Sequence, residues 1–217
     1  MNNKIAMKDK RLYDMRKEYS PPPLQESLLI SDPVHQFEKW FEEAREVEKH
    51  EPNAMILSTC GDDGAPSSRV VLLKKYSAEG YVFFTNYESR KGNDISRNPK
   101  ASLLFYWPGS MRQIRIEGHI SRISPADSDE YFDSRPAESK ASAILSKQSR
   151  PLSDKERFDR DVKELAADGI LKRPCFWGGY QLIPRYYEFW QGATGRTHDR
   201  FSYNKEGEEW LIKRLYP

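Results

Sequence analysis

The chain has 217 residues, of which 37% are hydrophobic, 31% charged and 12% aromatic, with a formal net charge of +2. That length supports one substantial core, and the aromatic share supplies large buried areas that a disordered chain lacks. Charges of both signs interleave around so small a net value, so the composition gives no reason to expect nucleic acid or a membrane as a partner.

Residues 1–31 read as a polar N-terminal arm, separable from the rest because Pro21, Pro22 and Pro23 cannot continue a helix and favour extended polyproline geometry. The arm lacks the apolar centre of a signal peptide, and no apolar run in the chain approaches the roughly 20 residues that cross a bilayer. Cys60 and Cys175 are too far apart to outline a disulfide framework or a zinc site. A reducing cytoplasm is the expected setting, and no metal is expected.

Asp32 followed by Pro33 predicts a capped helix start, and Val34, Phe37, Trp40, Phe41, Ala44 and Val47 trace the 3.6-residue stripe of an amphipathic helix. From Ala54 the runs AMILSTC, SSRVVLLKKY and YVFFTN, separated by GDDGAP and AEG, predict three antiparallel strands joined by hairpins. A short helix is expected from about Ser89 to before Pro99. Two more strands follow, ASLLFYW and RQIRIEGHISRI; in the latter Ile114, Ile116, Gly118 and Ile120 alternate with Gln113, Arg115, Glu117 and His119, the signature of a half-buried strand.

Ser124 and Pro125 open a helical region expected to reach about Leu145, and Ser153 to about Asp168 predicts another charged helix. The C-terminal candidates WGGYQLI, YYEFW, RFSYN and EEWLIKRLY, split by glycines, predict two or three final strands. Short strands with helices inserted between them indicate a mainly β fold, a barrel with peripheral helices, over residues 32–217.

Four clusters carry candidate chemistry. In YEFWQGATGRTHDR, Trp190, Arg196, His198 and Arg200 combine a flat ring, two fixed cations and a group that titrates near neutrality, which suits an anionic aromatic ligand. A solvated, glycine-broken turn is the alternative, and this stretch taken singly leaves it open. Arg69 and Lys74 flank four apolar residues. Thr85, Ser89, Arg90 and Lys91 gather at a strand-to-helix junction, where free backbone N–H groups favour an anion. Tyr131, Arg135, Ser139, Lys147, Gln148 and Ser149 repeat the pairing of hydroxyl and cation. Together these clusters hold enough donors for two phosphates.

The motifs RVVLLK, FFTNYESRKG, YFDSRP with the later KQS, FWGGY and EFWQGATGRTHDR, in that order and spanning about Arg16 to Pro217, closely resemble the pyridoxine/pyridoxamine 5′-phosphate oxidase family of split-barrel flavoproteins. The resemblance implies an FMN-binding split β-barrel that works as a homodimer with the flavin across the two-fold interface. It implies that FMN is held by Arg69, Val70, Val71, Leu72, Leu73 and Lys74, by Phe84 and Thr85, by Arg90 and Lys91, and by Gln113, Gln148, Ser149, Trp190 and Arg200. It further implies that the phosphate of a pyridine substrate meets Lys74, Tyr131, Arg135 and Ser139, with its ring against Arg196 and His198, while Arg16 and Tyr19 close the arm over it. The implied reaction is hydride transfer to the flavin with oxygen reduced to hydrogen peroxide, Arg196 and His198 acting at the reacting end. Thr197, the segment Ser139 to Ala143, and Ser20 with the three prolines depart from the family pattern, which bears on substrate preference and on how the arm moves.

Overall fold

A computed structural model describes Met15, Tyr19, residues 21–167 and residues 170–217 of the chain. Helix α1 (Pro33–Val47) starts as the sequence predicts, with the Asp32 carboxylate accepting from the backbone N–H groups of Val34 and His35 at 2.7 and 3.2 Å. Strands β1 (Ala54–Cys60), β2 (Pro66–Leu72), β3 (Lys75–Ser77) and β4 (Gly80–Asn86) follow, then α2 (Arg90–Arg97), β5 (Lys100–Trp107) and β6 (Arg112–Arg122). Helices α3 (Pro125–Asp133), α4 (Ala137–Leu145) and α5 (Lys155–Ala167) precede β7 (Trp177–Gln191), β8 (Asp199–Glu206) and β9 (Glu209–Arg214).

The strands form one antiparallel sheet in the order β2-β1-β5-β6-β7-β4-β3, with β8 and β9 continuing from β7. The first and last strands of that order, β2 and β3, are consecutive in the chain and joined only by Leu73 and Lys74. A two-residue link cannot span a flat sheet, so the sheet curls until its ends meet. Among the described residues no ladder joins β2 to β3 or β4, which leaves a seam: the fold is a split barrel, mainly β with peripheral helices.

This arrangement corrects three sequence expectations. The run SSRVVLLKKY is not one strand of a three-stranded meander. Leu73 N–H donates to the Asn53 carbonyl at 2.9 Å and Lys74 N–H to Val82 at 2.8 Å, so the chain changes partners there and makes two hairpins at opposite ends of the sheet. WGGYQLI and YYEFW are one 15-residue strand, because Pro184 falls at a bulge where the β6–β7 register slips between Glu117 and Gly118. A Cβ on Gly118 would lie 2.0 Å from the Ile183 carbonyl oxygen, so glycine is what lets the backbones close at that bulge. The helical region after Ser124 is broken at Ser134 to Pro136 into α3 and α4, as a proline without a backbone donor requires.

The inner face of the sheet carries Met55, Leu57, Leu103, Phe105, Trp107, Ile114, Ile116, Tyr187, Phe189, Phe201 and Tyr203, each at most 2% exposed. Helix α1 closes this core. Phe37 lies 5.0–5.1 Å from the rings of Tyr76, Tyr81 and Phe105, and Trp40 meets Phe189 edge-on at 5.2 Å. Burying each such aromatic is worth about 2–3 kcal/mol. The opposite face stays open: the register aligns Tyr106 with Gln113, Gln113 with Trp190 and Trp190 with Arg200. Val70 and Tyr106 on that face are 65% and 54% exposed. Among the described residues no helix is long and apolar enough to cross a membrane.

Candidate active site

A cleft of about 650 Å³ opens along the seam, lined by Arg69, Val70, Val71, Leu72 and Lys74 from β2 and the link, Phe84 and Thr85 from β4, and Lys91 from α2. The far wall is Tyr131, Arg135, Pro136, Ser139, Gln148 and Trp177. The break that the sequence hid at Leu73 is what builds it. Leu73 itself turns inward, 5% exposed in the core, so its side chain is not part of the cleft wall, although it belongs to the run the resemblance implies for the cofactor.

Lys91 is the most unusual group here. Its position on the first turn of α2, capped by the Ser89 hydroxyl accepting from Gly92 N–H at 3.3 Å, points the side chain back beneath the helix start. Nζ donates to Gln148 Oε1 at 2.9 Å, Thr85 Oγ1 at 3.2 Å and Ser89 Oγ at 3.3 Å. Among the described residues it has no carboxylate partner, and it is only 8% exposed. Loss of hydration, with the Arg69 charge nearby, lowers its pKa to about 8. Arg69 is held by the Leu57 carbonyl at 3.1 Å, Thr59 Oγ1 at 2.7 Å and Ser67 Oγ at 2.6 Å, with Asp94 at 4.0 Å; burial lowers its pKa too. Arg90 points outward, and its backbone N–H donates to Ser149 Oγ at 3.2 Å. Ser149 holds φ +73°, a conformation costly for serine.

On the far wall, Phe84 stacks on Tyr131 with ring centroids 3.9 Å apart, and Trp177 continues the stack 5.6 Å from Phe84. The Arg135 guanidinium sits 4.7 Å from the Trp177 ring centroid. Its Nη1 is buried without a hydrogen-bond partner among the described residues, and desolvation lowers its pKa. A buried donor left unmade costs roughly 1–3 kcal/mol, which a bound anion recovers. Lys74 is exposed, its Nζ 5.8 Å from the Tyr131 ring. Trp177 was not singled out from the sequence as a site residue; its place in FWGGY was a signal of position without a role.

The other candidates lie elsewhere on the protomer. Gln113, Trp190 and Arg200 share the open sheet face, and Arg196 and His198 occupy the loop from β7 to β8; none of the five lines the cleft. Arg196 is exposed with φ +61°. His198 Nδ1 accepts from Ala193 N–H at 3.2 Å, placing the neutral ring's proton on Nε2. Partial burial, and then the Arg196 charge, lower its pKa. Its ring lies 4.7 Å from that of Trp190, and Tyr19 meets both edge-on, at 5.8 and 6.1 Å. Gly192 lies beneath, where a Cβ would be 2.8 Å from the Tyr19 ring. Arg16 lies outside the described residues.

A model of the pyridoxamine 5′-phosphate oxidase family matches residues 41–167, and one of the pyridoxine 5′-phosphate oxidase C-terminal dimerisation region matches residues 177–217. The chain belongs to the pyridoxamine 5′-phosphate oxidase family. It is 46% identical to the pyridoxine/pyridoxamine 5′-phosphate oxidase of Herminiimonas arsenicoxydans over 94% of this chain and 98% of that one. The same named enzyme of a Cyanothece strain is 44% identical over 94% of this chain and 97% of its own. Among solved structures, PhzG from Burkholderia lata, in complex with tetrahydrophenazine-1-carboxylic acid, superposes with a TM-score of 0.85 at 32% identity, covering 92% of this chain and all of that one.

Members of this oxidase family need a place for the phosphate of a flavin, and the chain's residues fit one. A buried lysine that has no carboxylate partner among the described residues, a capped helix start and the hydroxyls of Thr85 and Ser89 form an anion cradle. The unpartnered Arg135 donor, with Lys74, Tyr131 and Ser139 on the same cleft, makes a second.

Proposed function

We propose that this chain oxidises pyridoxine 5′-phosphate and pyridoxamine 5′-phosphate to pyridoxal 5′-phosphate as a cytoplasmic FMN-dependent homodimer. The observation that carries this reading is one cleft holding two cations that, among the described residues, lack an anion: the buried Lys91, and the half-buried Arg135 with its buried Nη1 unpartnered. An FMN phosphate and a substrate phosphate answer both. Thr85, Arg90, Lys91, Gln148 and Ser149, with Arg69 behind them, form the FMN phosphate end; Lys74, Tyr131, Arg135 and Ser139 form the substrate phosphate end.

Bound FMN would supply the two-electron acceptor: a hydride leaves the exocyclic carbon attached at the 4-position of the substrate ring, and oxygen would take the electrons on, giving hydrogen peroxide. The alcohol loses its hydroxyl proton in the same oxidation; the amine gives an imine whose hydrolysis releases ammonia. The chain's own task is binding and orientation. Neutral His198, with its proton on Nε2, and the fixed cation Arg196 are suited to direct the reacting substituent and to hold charge beside it. Tyr19, seated against His198 and Trp190, supports an arm over residues 1–31 that covers the substrate and excludes water.

Dimerisation reconciles the two separated half-sites. The open face bearing Gln113, Trp190 and Arg200 also exposes Val70 and Tyr106, and the matched dimerisation region contains the Trp190 to Arg200 stretch. A second copy laid on this face across a two-fold axis brings one protomer's Arg196 loop towards the other's cleft.

The test is the visible spectrum of the purified protein, then addition of either substrate under air while peroxide and aldehyde are recorded. Flavin absorbance near ~450 nm with both products is expected. A yellow protein that makes neither product would leave a flavin carrier, and a colourless one that cannot be reconstituted with FMN would overturn the reading.

A further inference from the structure

Glu188 is a buried carboxylate that the proposed reaction does not use. It points to the open sheet face, two residues before Trp190 on β7, and its side chain is 4% exposed. Two arginines converge on it. Oε1 accepts from Arg200 Nε at 2.9 Å, and Oε2 accepts from Arg115 Nη2 at 2.8 Å and from the Tyr186 hydroxyl at 3.2 Å. Arg115 stands directly opposite Glu188 in the β6–β7 ladder. Arg200 stands opposite Trp190 in the β7–β8 ladder, and one of its terminal nitrogens, Nη1, donates to the Tyr216 carbonyl at 2.8 Å.

The geometry restricts Arg200 strongly. A guanidinium has five N–H donors in a fixed plane; Glu188 takes the one on Nε and Tyr216 takes one on Nη1. The plane is therefore set, and the terminal donors without a partner among the described residues are those left for a ligand. Long arginine side chains otherwise keep about 2 kcal/mol of rotamer entropy. A buried carboxylate is retained at a desolvation cost, and here that cost goes with orienting the one cation aligned with Gln113 and Trp190.

We propose that Glu188 is the positioning residue of the cofactor face: it fixes the guanidinium plane of Arg200 for the flavin, with Arg115 steadying the carboxylate from the other side. This deepens the proposed function and rests on FMN binding to that face. The experiment titrates FMN into apoprotein, following the quenching of flavin fluorescence, for the unaltered protein, Glu188→Gln, Arg200→Lys and the double variant. The visible circular dichroism of bound FMN and the thermal midpoint of each apoprotein are recorded alongside.

Glu188→Gln is expected to raise the Kd for FMN about tenfold, roughly 1.4 kcal/mol, and to change the visible dichroism in the same sense as Arg200→Lys. The double variant is expected to bind no worse than Arg200→Lys by itself, because one effect runs through the other. An unchanged Kd and dichroism for Glu188→Gln, or full additivity in the double variant, overturns the proposal even if the thermal midpoint falls. Unchanged binding by Arg200→Lys overturns it as well. Failure of the unaltered apoprotein to bind FMN instead removes the functional reading on which it stands. Should Glu188→Gln not fold, Glu188→Asp replaces it: one methylene shorter, it cannot span both arginines, and an unchanged Kd for that variant overturns the proposal.

Discussion

Lys91 Nζ and Gln148 Oε1 lie 2.9 Å apart, joining the start of α2 to the loop after α4 through a cation that, among the described residues, has no carboxylate partner. Burial lowers this lysine's pKa from 10.5 to about 8. The native apoprotein therefore binds fewer protons than the unfolded chain between about pH 8 and 10.5, and this group's contribution to stability rises with pH across that window. Its penalty is fully present below pH 8. A phosphate restores the charged form, so FMN affinity is expected to be level near pH 7 and to fall above about pH 8. Fluorescence titrations from pH 7 to 10 check this. Lys91→Met should bind FMN at least about tenfold more weakly at pH 7 and lose that part of the pH dependence; an unaltered profile in the variant would remove Lys91 from the phosphate site.

Among the described residues Arg135 has a buried Nη1 without a partner, so its loss should cost substrate affinity more than stability. Arg135→Ala is expected to raise KM for the phosphorylated substrate by about 10- to 100-fold, the worth of a charge-assisted bond of about 1.5–3 kcal/mol. FMN content should hold. Steady-state kinetics together with the 450 nm absorbance of the purified variant separate the two effects, and a KM equal to that of the unaltered protein would sink the assignment.

Gly192 leaves room for Tyr19, and a methyl group there would meet the ring at 2.8 Å. Gly192→Ala should displace the arm, raising KM about tenfold and speeding proteolytic cleavage before Pro21 in the presence of substrate. Equal cleavage rates would mean that Tyr19 does not tie the arm down at this point.

Arg196→Ala should lower turnover far more than FMN content. The charge of Arg196 helps to depress the His198 pKa, so the imidazole titration followed by NMR should move to higher pH in this variant. In the unaltered protein His198 is expected to stay neutral at pH 7, and activity limited by its protonation should fall only on acidification below the ordinary histidine range. Flavin loss from Arg196→Ala would put the residue in the wrong site.

Much of this was legible in the sequence because it rests on local chemistry. Asp32 with Pro33, the alternation around Ile114 and the hydroxyl-rich start of α2 each declare an element by themselves. The break at Leu73 and Lys74 was hidden at the end of the apolar run Val70 to Leu73, since a change of strand partner leaves no compositional mark. WGGYQLI and YYEFW read as separate candidates, and only the bulge opposite Gly118 shows how one strand passes through Pro184. The burial of Lys91 was equally invisible: a lysine is ordinarily solvated, and its place beneath α2 depends on Gln148, 57 positions away. Glu188 was not singled out in the sequence; its role shows only in the two arginines, Arg115 and Arg200, that share it.

The two-residue link between β2 and β3 also acts mechanically. Arg69 and Lys74 belong to opposite edges of the curled sheet, yet a covalent tether of five peptide units limits their separation to at most about 18 Å. The link therefore limits how far the β2 wall with Arg69 can part from Lys74 and the β4 wall across the seam, and lengthening it by a residue or two would relax that limit while leaving every side chain of the cleft in place.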